Sequence, residues 1–322
     1  MVLARAHLAD EAAIASLNVE TQYALTENGT LERMDVGDRS PTYPPDIRRL
    51  PLWRGVSVTA FGHVHGPMHA PFLRIVELGV GDHVERLVVQ GPRVWQRRWG
   101  SEPEPSEPAP FQALALSWEN AFGGEYQLPP GYLPGTELPF PGGGVAYPLN
   151  PRGVGFYADA DAAVDRPLPT IEDPKALIRR WSDHPTPAGF APCRDLPGLR
   201  MDPNLATELG SRSLQRVLTG ALRGSFQLSH HAPAKLIFAD VVLGTTMSVR
   251  NLGHAGTLRF HVPPAPIEVS VRSGRDRTRV TPMLRSIHVD ADARKVVATY
   301  GHPFRYRPTA PPEWFEVTIG GQ

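Results

Sequence analysis

The chain has 322 residues, 41% of them hydrophobic and 20% charged, and its 33 basic residues are balanced by 33 acidic ones. That balance excludes a charge-rich disordered chain and leaves no overall field to attract nucleic acid or an anionic membrane. Thirty-five prolines and 30 glycines limit helix length, because proline lacks an amide donor and clashes with the preceding turn.

The opening Met1–Ser16 carries Asp10 and Glu11 among alanines, unlike a secretory leader. No later stretch reaches the roughly 20 apolar residues of a membrane helix, so a cytoplasmic protein is expected. Loose alternation over 14–25, followed by Asn28-Gly29, predicts a strand and a hairpin turn. Val56–Val64, Phe72–Val80 and Val84–Val89, separated by Gly66-Pro67 and Gly81-Asp82, read as an antiparallel meander. Ser101–Pro110, with four prolines and three glutamates, reads as an extended spacer or exposed loop. The proline- and glycine-dense Leu128–Pro151 reads as a long loop of the kind that often carries function.

A short helix is expected at Lys175–Trp181 and a longer one at Leu205–Leu222, where apolar spacing is near-helical and Gly224 follows. The remaining chain returns to strands, at Leu236–Leu243, Thr246–Leu252, Thr257–Val262, Ile267–Arg272, Arg279–Val289, Lys295–Tyr300 and Phe315–Ile319. The expected fold is mainly β, an antiparallel β-sandwich or paired β-sheets with long Pro/Gly-rich loops and one or two short helices. Residues 1–165 form an N-terminal β-rich half, 166–204 a proline-rich connection and 205–322 a C-terminal β-rich half; a single domain over about 14–307 is the other division.

The signatures of common enzymes, such as G-x-x-x-x-G-K-[ST], H-E-x-x-H, G-x-S-x-G and C-x-x-C, are absent from the sequence. Cys193, the only cysteine, cannot form an intramolecular disulfide; with His184 and Asp195 it supplies the residue types of a thiol site, whereas an inert buried thiol is the plainer reading. His63 and His65, two apart on a strand, share a face and with His69 are the candidate metal ligands, but no nearby carboxylate in the sequence supports them. Arg93, Arg97 and Arg98 alternate with Trp95 and Trp99, a mixture suited to protein contacts in a chain without net charge.

The best-marked feature is Trp118-Glu119-Asn120-Ala121-Phe122-Gly123-Gly124. Its glycines permit a tight turn that fixes two aromatic rings against a core; alternatively Trp118 and Phe122 form a binding hot spot. Asn150-Pro151 followed by Gly153 and Gly155 reads as a second turn.

Taken in order, Gly91–Trp95, Leu116–Gly124, Asn150–Phe156, Leu168–Glu172 and Pro187–Pro192 resemble the motifs of the domain of unknown function 2169 family. The resemblance covers most of residues 14–307, with a weaker match over Leu258–Pro263 and Ile287–Tyr300. It implies a non-enzymatic accessory protein of bacterial type VI secretion, without a cofactor, that helps load an effector onto the VgrG and PAAR spike. Its fold-defining or partner-binding residues are then Arg93, Trp95, Trp118, Glu119, Phe122, Gly123, Gly124, Asn150 and Gly153. The chain departs from the family at Pro92, Leu128–Tyr147 and Gly210–Ala232, the last two being candidate sites of partner choice. Two alternatives are a metal-dependent hydrolase using His63, His65 and His69, and a self-associating structural β-protein.

Overall fold

The computed structural model describes residues 2–7, 13–34, 55–98, 100–127, 144–147, 149–191, 232–265, 267–273, 276–306 and 314–319. The first strands are β1 (Val2–His7), β2 (Ala13–Leu25), β3 (Leu31–Arg33), β4 (Val56–Phe61), β5 (His63–His65), β6 (Leu73–Val80) and β7 (His83–Gln90). Shorter pieces follow: β8 (Trp95–Gln96), β9 (Glu104–Pro105), β10 (Ala113–Ala115), β11 (Phe122–Gly123), β12 (Glu125–Gln127), β13 (Gly144–Ala146), β14 (Val154–Gly155), α1 (Ala160–Ala163) and β15 (Ile171–Glu172). The last stretch holds β16 (Ile237–Phe238), β17 (Thr246–Arg250), β18 (Thr257–His261), β19 (Ile267–Ser273), β20 (Asp276–Val280), β21 (Met283–Asp290), β22 (Lys295–Tyr306) and β23 (Trp314–Ile319).

The protein is mainly β, as the strand patterns imply. Its largest sheet runs β1, β2, β22, β21, β4, β16, with β3 also paired to β2. A second sheet runs β15, β7, β6, β17, β18. Each takes strands from both ends of the chain: β4 lies parallel to β21, and β6 pairs with β17. The inward residues of the two sheets make one apolar core: Val58, Ile287, Val296 and Tyr300 from the first, and Val76, Leu78, Val249 and Phe260 from the second. In β18 burial alternates strictly, with Leu258 and Phe260 inward and Thr257, Arg259 and His261 outward, as a half-solvated antiparallel strand requires. Among the described residues no helix is long and apolar enough to cross a membrane.

Several local expectations change. Val56–Val64 is two strands, broken at Gly62, and β5 leaves the main sheet to pair with β10. Arg279–Val289 is likewise broken, between β20 and β21, at Thr281-Pro282, where proline cannot donate to a ladder. Of Leu236–Leu243 only Ile237 and Phe238 pair, following a 3-10 turn at Ala234–Leu236. Lys175–Trp181 is a turn rather than a helix because carboxylates capture its amides. Asp173 accepts from the Lys175 N–H, Glu172 from that of Ile178, and Asp183 from those of Arg179 and Arg180.

The expected spacer at Ser101–Pro110 packs instead against the chain before it. β9 pairs with β8, while the Ser106 and Ala109 amides donate to the Val94 and Pro92 carbonyls. The helix expected at Leu205–Leu222 lies outside the described residues, as do Cys193, Asp195, Trp99 and most of the two departures from the family pattern.

Candidate functional site

The motifs singled out in the sequence converge on one module beside β15 and β7. Trp118–Asn120 forms a 3-10 turn, and the Asn120 side-chain amide holds the strand before it by donating to the Ala115 carbonyl at 2.8 Å. Beyond the turn, β11 lies parallel to β14, with the Val154 amide donating to Ala121 and that of Phe156 to Gly123. Two strands of only two residues cannot hold such a pairing alone.

Asn150 supplies what they lack. Its side chain is fully buried, and Nδ2 donates to the Trp118 carbonyl at 2.7 Å and the Phe122 carbonyl at 3.0 Å. Its own carbonyl accepts from the Gly124 and Gly153 amides. The glycines follow from this closeness. A Cβ at Gly123, where φ is 149°, would collide with the Asn150 carbonyl oxygen, and one at Gly153 would collide with the Asn150 amide and the Ala121 carbonyl.

The aromatic residues face inward. Trp118 is 8% exposed, with Nε1 donating to the Ala191 carbonyl at 3.1 Å, so the fifth motif closes over the second. The fourth joins it through the Thr170 amide, which donates to the Asn120 carbonyl at 3.0 Å. Phe122 packs with Trp95, Ala163, Leu168 and Ile178 in a small core of its own. Both rings are thus enclosed within the described fold. Glu119 and Arg152 lie 3.9 Å apart and are each more than half exposed, a separation and exposure that contribute little.

Arg93 is buried too, and its charge is answered by the equally buried Glu172. Glu172 also accepts from Gln90 Nε2 at 2.9 Å and the Ile178 amide at 2.8 Å, while Arg93 Nη2 donates to the Pro169 carbonyl at 3.2 Å. The Leu168–Glu172 segment is thus pinned to Gly91–Trp95 by a charged network within the fold.

The histidines are arranged differently from their spacing. His63 meets a carboxylate that the sequence did not suggest: its Nδ1 hydrogen-bonds Asp292 at 2.7 Å, and its amide donates to the same side chain at 3.1 Å. His65 stacks on His254 with ring centroids 3.9 Å apart, and His69 lies exposed in the turn after β5. Among the described residues, no group of three or more His, Cys, Asp or Glu side chains has the arrangement to hold a metal ion.

Burial lowers the His65 pKa below the ordinary histidine value, helped by the charge of His254 and, more weakly, of His63 and Arg74, against an opposing pull from Asp292. For Asp292, burial works upward but the hydrogen bonds from His63 outweigh it, so its pKa lies below the usual carboxylate value. A depressed histidine contributes stability that is present above its unfolded pKa and is lost as pH falls toward the folded one. The melting temperature is accordingly expected to fall between about pH 7.5 and 5.5, and to fall less in His65→Gln. An unchanged pH slope in that variant would remove His65 from the account.

The fold and module together define a mainly-β scaffold whose marked motifs are knitted to one another. The family described as "Uncharacterized protein conserved in bacteria (DUF2169)" matches residues 2–300, and the chain belongs to it. No curated protein and no solved structure matches the chain.

Proposed function

We propose that the chain is a non-enzymatic adaptor or chaperone of bacterial type VI secretion, acting in the cytoplasm, that binds an effector and helps load it onto the VgrG and PAAR spike. The link to secretion rests on the motif resemblance. The observation that supports a binding scaffold is the use of Arg93, Trp95, Trp118, Phe122 and Asn150, all buried, to fasten one loop module together. A catalytic signature would keep its reactive side chains open to substrate. Here they hold the scaffold rigid, and rigidity reduces the entropy lost on binding a partner.

The test is co-expression with the VgrG, PAAR and effector proteins encoded beside the gene, followed by affinity purification and size-exclusion chromatography. A stable complex containing the effector and a spike protein is expected, with the effector less soluble when this chain is omitted. Absence of association, or self-association alone, would overturn the reading.

A further inference from the structure

The outer face of the second sheet carries a charged arrangement that no linear motif reveals. Register places Arg86, Glu77, Arg250 and Thr257 in one row across β7, β6, β17 and β18. The next row reads Val84, Gly79, Ser248 and Arg259. Paired positions on neighbouring strands share a face, with strands about 4.8 Å apart.

Glu77 accepts from Arg86 at 2.8 Å and from Arg250 at 2.9 Å, and these bonds lead its carboxyl to a lowered pKa. One carboxylate thereby orients two guanidinium groups that remain 54% and 59% exposed. Arg259 is exposed as well and adds a third cation without a second anion in these two rows. Each guanidinium has five N–H donors in a fixed fork, so those holding Glu77 keep donors for another carboxylate. Gly79 leaves the centre of the second row flat, and exposed Leu73 and Val84 add apolar area on the same side of the sheet.

We infer that this face binds an acidic, partly apolar segment of a protein partner. The charge fits a carboxylate ligand, three arginines against one glutamate. The exposed apolar Leu73 and Val84 favour a peptide over a nucleic-acid backbone, which offers no apolar side chain to set against them. The inference rests on the adaptor reading only in taking the physiological occupant to be secretion cargo or spike protein.

Fluorescence polarisation of the full chain with a labelled oligoglutamate peptide at low salt tests it, with an oligothymidylate of equal charge as comparison. Oligoglutamate is expected to bind with salt-sensitive affinity, weakened roughly tenfold by Arg259→Glu and by Arg86→Gln and unaffected by Arg180→Glu in the turn after β15. Melting curves confirm that the variants fold, and because Arg259 projects from an exposed strand position its reversal leaves the core untouched. No binding, equal weakening by Arg180→Glu, or tighter binding of oligothymidylate with the same response to the variants would overturn the inference. Oligoglutamate binding without a spike or effector complex would leave the face standing and defeat the adaptor reading; a complex formed equally well by Arg259→Glu and Arg86→Gln, with no oligoglutamate binding, would do the reverse.

Discussion

Asn150→Asp is expected to lower the melting temperature by roughly 10 °C, corresponding to about 3–5 kcal/mol of stability. The substitution preserves size, so the loss isolates chemistry from packing. Asn150 Nδ2 makes two donations at one buried point, to the Trp118 and Phe122 carbonyls. An aspartate there donates to neither and sets a buried anion against two carbonyl oxygens. The sign of the pH response follows: burial raises the new carboxyl's folded pKa, so the deficit is largest above that value and narrows in acid as the protonated form regains a donor. Thermal melts from about pH 8 to 5 measure this. A loss under about 1 kcal/mol would mean that the 116–124 and 150–156 motifs are held together by something else.

Arg93→Met is expected to cost about 3–5 kcal/mol, because it leaves the Glu172 carboxylate buried without its cation. Glu172 is itself fixed by Gln90 and the Ile178 amide, so it cannot turn to solvent. Glu172→Gln, which keeps acceptor capacity while removing charge, is expected to cost less in the Arg93→Met background than in the wild type. Denaturant unfolding of the two single variants and the double variant gives the coupling directly, and strict additivity would defeat the pairing as a stabilising unit.

Much of the architecture was legible in the chain. Thr257–Val262 and Lys295–Tyr300 read as strands and form them, and the turn read at Gly81-Asp82 joins β6 to β7. Breaks were harder to see, since the apolar run from Val56 continues through Gly62 although the backbone changes sheet there. Lys175–Trp181 looked helical because propensity does not register carboxylates that bind the amides first. From sequence Trp118 and Phe122 could be core or contact surface, and in the structure both rings are buried.

By itself the sequence determined the β-rich class, the family and the residues of its five motifs, because these depend on local alternation, turn chemistry and order along the chain. Only the tertiary structure decided which residues meet. His63 finds Asp292 across 229 positions and Arg250 finds Glu77 across 173, separations that no periodicity encodes. A period of two tells which face of a strand a side chain occupies, but strand partner and register are set by packing of the whole core. That packing brought scattered arginines onto one face of a sheet and buried the Trp118 and Phe122 rings of the 118–124 motif.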